Sequence, residues 1–235
     1  MPSQLHLFGL MHLLILASVP LLAALLAALQ RNLAPESKNL RILLATLLFL
    51  CPASYYGCLA LHGNKMFPDH VPLELCDASL WLVIAALLTL KPAIFDLTYY
   101  YALAGASMSL LTPNLPGASP TFLSVQYFAD HGLIVAAVLY LVWSGQTRPR
   151  PGSIGRAMLA LNIYAAFVFT FDSIFKTDNM FLRAKPQTVS LLTFLGPWPW
   201  YIAAAEAVAL TLFFLLYVPF RQPAAAAASL YCEPQ

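Results

Sequence analysis

The stretch LELCDASLWLVIAALL, Leu73 to Leu88, sets the thiol of Cys76 among two acids, Glu74 and Asp77, at the head of an otherwise apolar run. A thiol becomes a nucleophile when a base removes its proton or when a helix N-terminus favours the thiolate. Cys76 has a helix start in its favour, but the flanking acids, when ionised, repel a thiolate, so a histidine must take the proton. His131 is the sole histidine inside a predicted span at a compatible depth. Its neighbour Asp130 cannot orient the imidazole, because adjacent residues on a helix point about 100° apart. Asp172 or Glu206, from other helices, is expected to accept the imidazole N–H. A phospholipid ester carbonyl lies near the headgroup boundary, within reach of a thiol a turn or two inside a helix end, and attack there gives an acyl-cysteine. Asp77, Asp130 and Asn114 are expected to line the surrounding polar pocket.

These groups must be carried by a membrane protein. Of 235 residues, 60% are apolar or aromatic and 9% charged, which excludes an ordinary soluble domain. A helix needs about 20 mainly apolar residues to cross the hydrocarbon, and seven such runs are present, at approximately 6–29, 41–62, 72–90, 93–112, 122–144, 156–178 and 198–220. The expectation is an all-α, polytopic seven-helix bundle, one domain over 1–222 with a flexible alanine-rich tail at 223–235. Breakers separate the runs, among them Pro68, Pro92, the segment Pro113 to Pro120, and Pro186. Only Lys91-Pro92 marks the third junction, which predicts an antiparallel hairpin. The first run has no basic segment before it and is longer than a signal-peptide core, so it is expected to be a span.

An ionisable side chain inside a span costs at least a few kcal/mol, so depth decides which of them can cooperate. With a helix start near Pro72, capped upstream by Asp69, Cys76 and Asp77 lie about 6 to 8 Å from the outer end at 1.5 Å per residue. The same arithmetic puts Asp130 and His131 about 12 to 14 Å in, Asp172 about 9 Å and Glu206 about 12 Å. Four helices thus place acids, a histidine and a thiol in one half of the membrane, where a bundle interior or a water-filled cavity must receive them. Asp96 and Asn162 fall in the opposite half. Lys and Arg divide about eight to four in favour of an N-outside, C-inside topology.

The remaining candidates have bland readings. Cys51 and Cys58 are expected to be packing thiols, His6, His12, His62 and His70 interfacial or solvated, and Trp198, Trp200 and Tyr201 an interfacial belt. Cys232-Glu-Pro-Gln is a poor prenylation box. Positive charge is too sparse and scattered for nucleic acid, and a net charge of +2 reports orientation instead. No CxxC pair or zinc-finger spacing occurs, and neither metal nor organic cofactor is implied. The last span has no lysine, which removes the retinal reading.

Several words in the chain are familiar together: LELCD at 73–77, LTPNL at 111–115, DHGLIV at 130–135, the pair Asn162 and Tyr164, MFLRAKP at 180–186 and GPWPWY at 196–201. They resemble the YwaF-like family of bacterial multi-pass membrane proteins, related to a eukaryotic ether-phospholipid acyltransferase and more distantly to seven-helix esterases. The resemblance implies a bacterial cytoplasmic-membrane protein whose acyltransferase relatives use a cysteine and a histidine, here Cys76 and His131. The expectation is a cysteine-dependent acyltransferase or acyl hydrolase acting on membrane phospholipid or lysophospholipid. The alternative is a small proton- or cation-coupled transporter using the buried acids and His131, although no internal repeat is visible.

Overall fold

The computed structural model describes residues 7–33, 37–63, 65–113, 115, 121–186 and 190–221. It is all-helical, with no strand among the described residues. Helices α1 (Leu10–Asn32), α2 (Asn39–Leu61) and α3 (Leu75–Thr89) are followed by α4 (92–111), whose middle, Tyr101–Ala106, is π-helical. Then come α5 (Phe122–Trp143), α6 (Ser153–Phe175) and α7 (Trp200–Tyr217), the last running on as a short 3-10 turn, Val218–Phe220. All seven fall within a few residues of the expected runs. Five, all but α3 and α4, are long and apolar enough to cross a membrane, which makes the chain an integral membrane protein. The seven-span expectation is thus met only in part: α3 has 15 residues and α4 is interrupted.

Helix α5 is the hub, touching α1, α2, α3 and the π segment. Its Ala136, Ala137, Val138, Tyr140 and Leu141 have no exposed surface. Along α1 the buried apolar positions Val19, Ala23 and Ala27 recur every fourth residue, a stripe of modest side chains that lets the backbones approach. At the closest point, a Cβ added to Gly132 would lie 3.3 Å from Cγ2 of Val19. By contrast α6 and α7 present mostly exposed apolar surface, as lipid-facing helices do.

The predicted hairpin between α3 and α4 turns at Leu90, which adopts φ 52°, with Pro92 opening the next helix. Helix ends leave carbonyls without partners, and here Arg41 of α2, itself buried, donates from Nη1 to the Leu87 carbonyl at 3.0 Å. A few residues on, Asp96 is fully buried and accepts from Arg150 through its backbone N–H at 3.0 Å, Nε at 2.9 Å and Nη2 at 2.7 Å. Nε of Arg156 adds a fourth donor at 3.0 Å. This clamp ties α4 to the α5–α6 connection.

At the other end, the α6–α7 connection folds into a strap, and two expectations are corrected there. Asp172 is fully buried, accepting from the Thr177 hydroxyl at 2.7 Å and from the N–H and Nδ2 of Asn179 at 2.8 and 2.6 Å. Its carboxylate is therefore committed to bracing the strap. Tyr201 is buried rather than interfacial, its hydroxyl donating to the Phe181 carbonyl, while Trp198 and Trp200 remain exposed. Oε2 of Glu74 accepts the Met180 N–H at 2.9 Å, fastening the strap to the start of α3.

Asp96→Asn is expected to lower stability by about 2 kcal/mol, since breaking a buried ion pair costs about 3–5 kcal/mol and these half-exposed arginines regain water; the thermal unfolding midpoint in detergent checks it. Glu74→Ala should release the strap, so that tryptic cleavage after Arg183 accelerates about tenfold, the worth of one charge-assisted hydrogen bond. An unchanged cleavage rate would mean that the remaining strap contacts suffice alone.

Candidate active site

Beneath the strap, α2, α3, α4, α5 and α7 enclose a cavity of about 770 Å³. Cys76, Asp77, Asp130 and His131 all contribute to its wall, together with Ser109 and Tyr127. No Lys or Arg lines it among the described residues. The shared depth read from the sequence thus brings the thiol, the imidazole and two of the acids to one chamber.

Local structure explains how each arrives. Helix α3 begins at Leu75 with Glu74 as its N-cap, three residues later than the expected start at Pro72 with Asp69 as cap. Cys76 is accordingly in the first turn. Asp77, at the third position, reaches back to accept the Glu74 N–H at 3.0 Å, one half of a capping box. The acids around the thiol therefore have architectural work: one closes the helix start and the other holds the strap. The π-helical segment of α4 carries one extra residue per turn and turns the following residues by about 100° relative to an unbroken helix. Ser109 follows it and sets its Oγ 3.5 Å from Sγ of Cys76.

His131 is 8% exposed. Its Nδ1 lies 2.8 Å from the Tyr127 carbonyl, which can only accept, so Nδ1 carries the proton and Nε2 holds the lone pair in the neutral ring. The Tyr127 ring packs against the imidazole with centroids 4.2 Å apart. Its hydroxyl donates at 3.0 Å to the carbonyl of Ser109, in the last turn of α4.

The expected orienters are thereby corrected. The Tyr127 backbone carbonyl holds His131, and neither Asp172 nor Glu206 lines the cavity. Glu206 accepts from Nδ2 of Asn162 at 3.0 Å, pairing α7 with α6, so these two share a level instead of falling in opposite halves. Asn114 lies outside the described residues, as do His6 and Cys232. His12 is fully buried rather than interfacial, accepting the Phe8 N–H on Nδ1 at 3.0 Å and donating from Nε2 to the Leu110 carbonyl at 2.8 Å. Ser109 and Tyr127 were missed, because nothing in the hydrophobic pattern announces the π segment that places Ser109, and Tyr127 acts through its own carbonyl and on a backbone carbonyl. Among the described residues, no three His, Cys, Asp or Glu side chains group to hold a metal ion.

Sequence comparison places these residues in context. An uncharacterized protein of Treponema pallidum (strain Nichols) is 26% identical over 218 residues, covering 91% of this chain and 89% of that protein. No solved structure matches. The short words that suggested the YwaF-like family lie inside a much longer match to a different family model, which overturns that expectation. With residues 3–217 matched by the model of the TMEM164 family, the chain belongs to the TMEM164 family.

Proposed function

We propose that this protein is a membrane-embedded acyl-transfer enzyme acting on phospholipid esters through an acyl-cysteine. The observation that carries the reading is that Cys76 and His131, from two different helices, wall one cavity while the imidazole is fixed with Nε2 free to take a proton. In the first half-reaction the thiol proton passes to Nε2 as sulfur attacks the ester carbonyl carbon. Collapse of the tetrahedral species breaks the bond to the lysolipid oxygen, which leaves with the proton from His131. An acceptor hydroxyl, of water or a lysolipid, then gives its proton to His131 and attacks the thioester, returning the thiol. Asp77 and Asp130 make the cavity polar enough for a headgroup.

This reading takes α3 and α4 as spans too, for seven in all. The 15 residues of α3 cover about 22 Å and suffice where the strap closes its outer end. Arg31, Lys91, Arg150 and Arg156 gather at the Asp96 end, away from the cavity mouth, which supports an N-outside, C-inside orientation. The transporter reading draws on a specific observation as well: Oδ1 of Asp130 is buried without a hydrogen-bond partner among the described residues, in an acid-lined chamber.

Intact-protein mass spectrometry after incubation with a defined phospholipid in micelles is the test. A hydroxylamine-labile fatty-acyl adduct is expected on the wild type and absent from Cys76→Ala, with His131→Gln slowing its formation about 10² to 10⁴-fold. No adduct and no released lysolipid from any variant, with proton-coupled flux abolished in His131→Ala, would establish transport instead.

A further inference from the structure

The thiol and the imidazole are linked by one residue that the foregoing reaction does not use. The Ser109 hydroxyl donates to the carbonyl of Gly105 at 3.4 Å and lies 3.5 Å from Sγ of Cys76, where either atom can be the donor. Its own carbonyl receives the hydroxyl of Tyr127, the residue whose ring and backbone hold His131. Ser109 is brought to this place by the π segment, since an unbroken helix would turn it about 100° away from the sulfur. π-helical insertions are rare and appear frequently at functional sites. A hydroxyl rotor between a sulfur and a backbone carbonyl can donate to either one at the cost of a single torsion.

We propose that Ser109 is a third catalytic residue of this site, donating its hydroxyl hydrogen bond to the Cys76 sulfur while that sulfur carries negative charge. The inference rests on the acyl-transfer reading. As the S–H bond breaks, its proton goes to Nε2 of His131, and the Ser109 hydroxyl turns from the Gly105 carbonyl to the sulfur, keeping its own proton. When the sulfur–carbon bond forms, the negative charge moves to the carbonyl oxygen of the ester and the hydroxyl is released. The thioester sulfur is a poor acceptor, so Ser109 returns to Gly105 until the acceptor attacks and the thiolate reappears. No Lys or Arg lines the cavity among the described residues, where this hydroxyl is the side-chain group within hydrogen-bond distance of the sulfur.

Two nearly isosteric variants isolate the hydroxyl: Ser109→Thr keeps it and Ser109→Val replaces it with a methyl group. The full-length protein in micelles is treated with N-ethylmaleimide, and labelling of Cys76 and of Cys51 is followed separately by peptide mass spectrometry, alongside acyl-adduct formation. A hydrogen bond to a charged group is worth enough that Ser109→Val should label Cys76 about tenfold more slowly than Ser109→Thr, with acylation slowed in parallel. Labelling of Cys51 should be equal in the two, which shows that both are folded alike. Equal Cys76 labelling in Thr and Val variants would overturn the proposal, as would a loss confined to misfolded protein, seen as a changed Cys51 rate. A Thr-to-Val difference in labelling with no acyl adduct on any protein would refute acyl transfer and the catalytic role with it, leaving only the contact between Ser109 and the thiol.

Discussion

In hydrocarbon, no water is available for a backbone group that lacks a partner, so a helix that ends below the headgroups must have its end closed by protein. The two helices that fall short of simple spans, α3 and α4, have their ends closed in this way. At the start of α3, Asp77 takes the Glu74 N–H, and at its far end Arg41 donates to Leu87. At the end of α4 the carbonyls of Ser109 and Leu110 receive Tyr127 from α5 and His12 from α1. Each closure comes from a neighbouring helix or from the helix's own first turn, and together they fix how α1, α2, α3, α4 and α5 are rotated against one another.

The candidate site inherits its geometry from these closures. Tyr127 caps α4 with its hydroxyl and, in doing so, presents its ring and carbonyl to His131. Asp77 caps α3 and thereby fixes Cys76 in the first turn, facing the chamber. Asp77 and Glu74 thus have their first obligation to the backbone, which explains why acids flank a thiol that would gain nothing from them electrostatically. Substituting Asp77 or Tyr127 removes a helix closure as well, whereas the side chains of Cys76, His131 and Ser109 close no helix end and separate the two roles.

The spans were legible because length, apolar composition and the positions of Pro and Gly record how far each segment runs. The gathering of Cys76, Asp77, Asp130 and His131 was legible for a related reason: distance along a helix converts directly into depth. Rotation about the helix axis was not legible. Asp172 and Glu206 point to the strap and to Asn162, and position along the helix alone could not distinguish them from Asp130. His12 and Tyr201 misled in the same way, since a polar side chain near a helix end is either wet or closing a neighbour's backbone, and only the neighbour decides. The π segment adds one residue to the register of α4 with a single glycine, Gly105, inside it, and one glycine in an apolar helix does not foretell the meeting of Ser109 with Cys76.

The clamp at Asp96 has a consequence for how the bundle sits in its solvent. One carboxylate against two guanidiniums leaves −1 + 2 = +1 at the end of α4 away from the cavity. Burying that charge in lipid is costly, and displacing it across the membrane field costs about 2.3 kcal/mol per 100 mV. The cluster therefore resists burial: it keeps its end of α4 at a polar level, and through the helix it fixes how far from that level the Ser109 end, with the thiol beside it, can sit.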